Sequence, residues 1–310
     1  MDNPLLSCII PTYKKLSCLY DALDSVLEQD YPKVEIIVTD DGSDDFNINN
    51  VGKYITANNK GNIVSVEVLK HPINVGTVKN MNGAIEKAHG EIIIPLASDD
   101  QFADNRVFSK IAEIFEETCC EILVFSRMKY DENMQNIIGV IPSNASVSYI
   151  NKHMNTPRNQ YIHMSRGQAM DFASGASLCY RRDFFLKVGK FDEKYRLWED
   201  GPFIAKITRS GYLIERRYDC IFVKYRDGGI SSSKKSNKVN EIYLKDISSF
   251  YKREFVDHPE KLNFINRIIP RGLYAYYSRD KKTILKNAFF VIISLINMSY
   301  TKLLRNHLQK

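Results

Sequence analysis

VEIIVTDD, residues 34–41, sets apolar residues on consecutive positions and then stops at two adjacent acids. A strand with water on one face alternates apolar and polar residues, so this run predicts a strand covered on both faces, as in a parallel sheet. Upstream, LLSCII predicts a strand. Leu16, Leu19, Leu23, Val26 and Leu27 follow at three- and four-residue steps on one helix face, which Tyr31-Pro32 ends. Downstream, IVSVEVLKH predicts a third strand, Ala84, Ile85 and Ala88 mark a helix, and IIIPLAS predicts a fourth strand. Val107, Ile111, Ile114 and Phe115 mark another helix, and EILVFSRM another strand. Strand, helix, strand repeated in this order implies right-handed crossovers and an α/β fold with a mostly parallel sheet.

Open parallel sheets bind ligands outside the carboxyl ends of their strands. Pro11-Thr12-Tyr13 follows the first strand, Asp40-Asp41-Gly42-Ser43 the second, and Ser98-Asp99-Asp100 the fourth. Four acids, an aromatic ring and small hydroxyls would thus share one crevice, which a purely structural sheet does not require. Alone, Asp99-Asp100 reads equally as a solvated pair capping the next helix or as oxygen ligands for Mg2+ or Mn2+, which keep open positions for phosphate.

The chain of 310 residues is 44% hydrophobic and 26% charged, as globular proteins are, and is long enough for a sizeable core. Its net charge of +6 suits an anionic substrate, an acidic membrane surface or nucleic acid. Nucleic-acid binding lacks a recognition motif or interleaved basic and aromatic residues, and acids at the strand ends would repel phosphate unless metal-bound. The six cysteines show no C-x-x-C pair or metal-ligand spacing and read as free thiols of a reducing compartment. MDNPLLSCIIP has no basic n-region, so the expected location is the cytoplasm.

The second half is less regular. Residues 136–170 read as a long connection holding short elements, 176–193 as a strand leading to a short helix stopped by Gly189, and a helix starts behind Glu199-Asp200. YLIERRYDCIFVKYR is strand-like, and GGISSSKKSNK, residues 228–238, is a basic, flexible loop. From about 239 the chain reads as helical. Residues 288–300, AFFVIISLINMSY, are its most hydrophobic patch, between Lys281, Lys282, Lys286, Lys302 and Arg305. The run is too short to span a bilayer. It suits a helix lying in an anionic lipid surface, a partner-binding helix, or one docked on its own domain.

SCIIPTYKK, LDSVLEQDYPKVEIIVTDDGSDD, NVGTVKNMNGAIEKAHGEIIIPLASDD, YRRDFFLKVGKFDE and Trp198-Glu199-Asp200 come in that order. Together they resemble the inverting family 2 glycosyltransferases of the GT-A fold, over residues 5–230. The resemblance implies a GT-A catalytic and nucleotide-sugar-binding domain over residues 1–230, then a mobile loop and a helical extension over 231–310. It implies that Pro11, Thr12 and Tyr13 hold the nucleotide base, that Asp40 accepts a hydrogen bond from it and that Asp41 lies near the ribose. Lys79 falls in the family's N-x-G-x-x-x-(R/K)-N segment close to the donor. Asp99 approaches ribose and metal, Asp100 binds a divalent ion (Mn2+ or Mg2+), and Asp200 is the catalytic base. Trp198 and Glu199 are assigned to the acceptor; Trp198 reads as well as a core aromatic, and Asp200 as an ordinary acid at a helix N-cap.

The commoner D-x-D-D motif has an acid where this chain has Ala97, which leaves the metal to Asp99 or Asp100. That departure also supports the rival reading, a non-catalytic nucleotide- or glycan-binding subunit of the same fold. The Q-x-x-R-W motif of processive synthases is absent, which argues for adding one sugar per encounter. The implied partners are a UDP-sugar donor, a glycan or lipid-linked sugar acceptor, and a membrane inner face met by the C-terminal helices. Arg226, Lys234 and Lys235 could close over the donor; His163 and Arg166 could line the acceptor pocket, or His163 could be satisfied structurally; and Asp227 could replace a His found in some relatives.

Overall fold

The computed structural model describes residues 3–14, 16–167, 172–228 and 238–308. They form two compact units, each assembled from separate stretches of chain.

The first unit takes residues 1–141, 174–191 and 214–227 and holds the sheet. Its strands are β1 (Leu6–Thr12), β2 (Val34–Asp40), β3 (Ile63–Lys70), β4 (Ile92–Pro95), β5 (Gln101–Phe102), β6 (Ile122–Tyr130), β7 (Ile137–Ile141), β8 (Leu178–Arg181) and β9 (Glu215–Arg226). They lie in the order β3-β2-β1-β4-β8-β6-β9-β5, with β7 paired to β6. The first four are mutually parallel, as the crossover pattern requires, and β6 and β9 are parallel to each other. β8 runs antiparallel between β4 and β6. The fold is therefore the expected α/β type with a mostly parallel centre.

Every residue of β2 is buried. β1 and β3 cover its edges, and the helices α1 (Leu16–Leu27), α2 (Ile48–Asn58), α3 (Thr77–Lys87) and α4 (Val107–Thr118) join the strands, a shorter α7 (Phe184–Val188) following β8. The apolar stripe on α1 is the one read from spacing: Leu19, Leu23, Val26 and Leu27 all lie in the core. At about 1.5–3 kcal/mol for each fully buried branched side chain, such a stripe outweighs the helix propensity of any one residue. α2 carries only two buried residues, Val51 and Ile55, and starts where the Asn47 side chain accepts the Asn50 N–H. β4 is shorter than the fourth strand expected, because the chain leaves the sheet after Pro95 and Leu96 donates to the Ile9 carbonyl. Gly189 ends α7 with φ of 77°, as anticipated for a glycine stop.

The second unit takes residues 142–173, 192–213 and 228–310. It contains α5 (Asn144–His153), α6 (Pro157–Ser165), α8 (Asp200–Arg209), α9 (Lys238–Phe250) running into a π turn (Tyr251–Val256), α10 (Phe264–Ser278), α11 (Lys281–Lys286) and α12 (Ala288–Leu308). Ser143, Thr156, Asn263 and Asp280 cap four of these helices through side-chain oxygens, each worth about 1 kcal/mol. α12 docks on α10 at Gly272, where any Cβ would overlap the Phe290 carbonyl and the Ser294 hydroxyl. Ser294 donates to the Ile269 and Phe290 carbonyls, and Arg271 lies over the Phe290 ring. The opposite face of α12 leaves Phe289, Ile292, Ile296 and Leu303 exposed. The hydrophobic patch is thus docked on one side and open on the other. No described helix is long and apolar enough to cross a membrane. By packing, residues 142–173 and 192–213 go with the C-terminal helices, whereas the sequence put a boundary near residue 230.

Candidate active site

Two acids are buried in β2, and the chain treats them differently. Glu35, at the amino end, accepts hydrogen bonds from the Ser7 hydroxyl and from the His89 backbone and ring. Burial alone would raise its pKa, but these donors outweigh that cost and hold it below the usual carboxylate value. Asp40, at the carboxyl end, is fully buried. Its Oδ2 accepts the Ser43 N–H at 2.7 Å, while Oδ1 has no hydrogen-bond partner among the described residues. Thr12 sits opposite Asp40 in the parallel register of β1 and β2, and its buried hydroxyl also lacks a partner among the described residues. Leaving a buried polar atom unpaired costs about 1–3 kcal/mol. Two of them side by side at the end where open sheets bind ligands mark a place built for something with its own donors and acceptors.

The surrounding turns are fixed by the protein itself. Asp41 donates its N–H to the Thr12 carbonyl at 2.9 Å. Its carboxylate accepts from Val75 N–H (2.6 Å), Gly76 N–H and the Asn74 amide (2.8 Å), so Asp41 organises the loop leading into α3. Ser43 Oγ accepts the Lys14 N–H, tying the turns after β1 and β2 together. Gly42 has φ of 80°, and a Cβ there would lie 2.6 Å from the Ile73 carbonyl carbon. Pro11 and Thr12 close β1, and Tyr13 beyond it is 40% exposed, with the Lys14 ammonium 5.0 Å from its ring centroid. Lys79 is exposed on α3, between Val78 and Asn80, which are both buried; Asn80 exchanges hydrogen bonds with Thr39 of β2.

Beyond β4, Asp99 is partly buried and Asp100 nearly fully. Asp100 Oδ1 accepts the backbone N–H of Arg226, the last residue of β9. The Arg226 guanidinium donates to the Asp99 and Glu132 carbonyls and lies 3.8 Å from Asp21. Arg226 therefore ends the strand read from YLIERRYDCIFVKYR and is braced against the acids. Among the described residues no three His, Cys, Asp or Glu side chains converge as a metal cage. Two adjacent carboxylates fit the other way of holding Mg2+ or Mn2+, in which one or two acids share the ion with phosphate oxygens.

Asp200 opens α8 in the second unit, its Oδ1 accepting the Gly201 N–H. Beside it Glu199 is pushed up to about 8, by burial first and then by the charges of Asp200 and Asp246. Trp198 packs edge-to-face on Tyr243 and Phe250 of α9. His163 has both ring nitrogens engaged, by the Asn159 carbonyl and the Tyr149 hydroxyl, and burial lowers its pKa; it is a satisfied structural histidine of α6, not of a loop. Arg166 donates to Asn266, and Asp227 pairs with Lys129. Lys234 and Lys235 lie outside the described residues.

The fold is shared with nucleotide-sugar enzymes of known structure. TarS of S. aureus in complex with UDP-GlcNAc matches with a TM-score of 0.55 at 19% identity, covering 88% of this chain and 71% of that one. The mannosyltransferase PcManGT of Pyrobaculum calidifontis, in complex with GDP-Man and Mn2+, matches with a TM-score of 0.59 at 14% identity, covering 99% and 86%. These likenesses show the GT-A fold. The family model "Glycosyl transferase family 2" matches residues 7–189, more than half of the chain, and the chain belongs to that family. WcaA of Escherichia coli (strain K12), which carries the name of a colanic acid biosynthesis glycosyl transferase, is 35% identical over 106 residues, 34% of this chain and 36% of its own length. GlyG, a glycosyltransferase of Streptococcus pneumoniae serotype 4, is 27% identical over 134 residues, 43% of this chain and 42% of its own. The matched stretch thus spans less than half of either relative.

Proposed function

We propose an inverting, metal-dependent glycosyltransferase that moves a sugar from a UDP-sugar to a hydroxyl of a glycan or lipid-linked sugar, in the assembly of a cell-surface polysaccharide at the inner face of the membrane. Residues 1–230 carry donor binding and catalysis, and residues 231–310 form an extension. The observation that carries the donor assignment is the orphaned pair, Asp40 Oδ1 and Thr12 Oγ1. Uracil offers an N–H between two carbonyls, which complements a carboxylate acceptor beside a hydroxyl donor. Tyr13 stacks on the base, Asp41 holds the loop beside the ribose, and Lys79 adds positive charge near the donor.

Asp99 and Asp100 are the residues that would hold a divalent ion. When bound, it supplies Lewis-acid neutralisation of the charge on the departing diphosphate. The Asp200 carboxylate takes the proton of the acceptor hydroxyl as that oxygen attacks the anomeric carbon from the face opposite the diphosphate, which inverts the configuration. Trp198 and Glu199 serve the acceptor, Glu199 keeping its proton at neutral pH and so able to donate a hydrogen bond. The exposed apolar face of α12, flanked by exposed Lys281, Lys282, Lys286 and Lys302, suits an anionic lipid surface through both apolar burial and charge.

The test is nucleotide release from UDP-sugars and GDP-Man with lipid-linked and free sugar acceptors, with Mn2+ or EDTA. Mn2+-dependent release from one UDP-sugar, lost in Asp200→Asn while UDP still binds, is the expected result. Release from GDP-Man alone would overturn the base assignment, and full transfer by Asp200→Asn would overturn the catalytic one.

A further inference from the structure

The family match ends at residue 189, so nothing in it assigns a role to the helices that follow residue 228. One of them reaches back to the loop that carries Asp200. Asp246, on α9, is 7% exposed, and a single carboxylate oxygen, Oδ2, accepts the backbone N–H groups of Arg196 (2.9 Å) and Leu197 (2.7 Å). These residues immediately precede Trp198-Glu199-Asp200. The indole of Trp198 meets the same helix edge-on, 5.0 Å from the Phe250 ring and 5.9 Å from the Tyr243 ring. A Cβ at position 201 would lie 2.2 Å from indole Cζ2, so glycine lets the ring cross the first turn of α8. The loop is thereby fixed at two adjoining points before Glu199: by a carboxylate taking the N–H groups of Arg196 and Leu197, and at Trp198 by an aromatic slot whose far wall is the first turn of α8.

We propose that Asp246 is a positioning residue for glycosyl transfer, setting through Arg196, Leu197 and Trp198 the place of the Asp200 carboxylate. This rests on Asp200 being the base. Hydrogen bonds to a charged acceptor are shorter and about twice as strong as neutral ones, so one oxygen holding two N–H groups makes a stiff hinge point. The requirement falls on the oxygen more than on the charge, because an Asn amide oxygen in the same place accepts the same two bonds.

The full-length chain is compared as Asp246→Ala and Asp246→Asn, measuring kcat, donor KM, UDP affinity and the emission of Trp198, the only tryptophan. Asp246→Ala is expected to lower kcat by about 10²-fold, the cost of a small misplacement of a reacting group, with donor KM and UDP affinity unchanged and Trp198 emission shifted to the red. Asp246→Asn is expected to restore kcat to within about three-fold and the emission to that of the wild type, since it keeps the acceptor oxygen. Gly201→Ala, which displaces the indole without touching Asp246, should reproduce the kcat loss with UDP affinity intact, and serves where Asp246→Ala does not fold. Wild-type kcat in Asp246→Ala, equal losses in the Ala and Asn variants, or loss of UDP binding along with kcat in Gly201→Ala would each overturn the assignment. Asp200→Asn separates the two levels: if it retains transfer, the reading of the base fails, whereas loss in Asp200→Asn beside an unaffected Asp246→Ala fails only the positioning role.

Discussion

The backbone N–H of Arg226 donates to Asp100 Oδ1 at 2.9 Å across 126 residues of chain. The last residue of β9 thereby braces an acid in the turn between β4 and β5. Asp100→Asn keeps an oxygen for that bond, so the fold should survive with its urea midpoint little changed. Mn2+-dependent transfer should fall by about 10²-fold or more, because the amide removes the negative charge that a divalent ion needs. Initial rates against Mn2+ concentration, beside the urea curve, check both halves.

Thr12 gives the opposite kind of variant. Its hydroxyl is buried with no partner among the described residues, so Thr12→Val removes an unmet polar group from the free protein and should hold stability level or raise it by about 1 kcal/mol. Affinity for UDP should drop by about five- to ten-fold as one hydrogen bond to the base is lost. Calorimetric titration with UDP and a thermal melt on the same sample distinguish this from a stability effect, which would move both downward.

Gly42 stands where two constraints coincide, a φ of 80° and a backbone 2.6 Å from any added Cβ. Left-handed conformation alone costs a side chain about 1–2 kcal/mol. Gly42→Ala should therefore destabilise by about 2 kcal/mol or more and weaken UDP binding, since the same turn carries Asp40 and Ser43. A urea midpoint equal to that of the wild type would refute it.

Glu199 supplies a pH test. Its folded pKa of about 8 exceeds the ordinary 4.5, so the folded chain binds that proton more tightly than the unfolded one. Its contribution is complete below the unfolded value and disappears as pH rises through the folded one. Glu199→Gln cannot lose a proton, so its stability relative to the wild type should improve between about pH 5 and pH 9. Paired denaturation curves at the two values report the sign directly.

The open face of α12 predicts that the 310-residue chain binds vesicles containing anionic lipid and that salt weakens the binding. Ile292→Asp with Ile296→Asp should reduce co-sedimentation by about ten-fold while leaving UDP affinity unchanged, as two large apolar side chains are replaced by charges. Undiminished vesicle binding by the double variant would discard the lipid assignment.

Much of the sheet was legible because its signals are local. Consecutive apolar residues announced β2, three- and four-residue spacing announced α1, and the acids after β2 and β4 stood where parallel sheets bind ligands. What escaped depended on distant partners. β5 has only two residues and exists because it pairs with β9. α2 buries too few residues to show a stripe. His163 offered no hint that Tyr149 and Asn159 would engage both its nitrogens, and nothing in the strand-like run that ends at Arg226 showed that its backbone N–H would meet Asp100. Asp246 carried no signal at all: an acid in a polar helix is ordinary until the loop it holds, 49 residues earlier for Leu197, is placed beside it.

The second unit is stitched from three stretches, residues 142–173, 192–213 and 228–310. Exchanging the C-terminal stretch alone between relatives to transplant specificity would join halves of a core that were never matched, separating Trp198 from its own Tyr243 and Phe250, and Arg166 from its own Asn266. The portable module is all three stretches together.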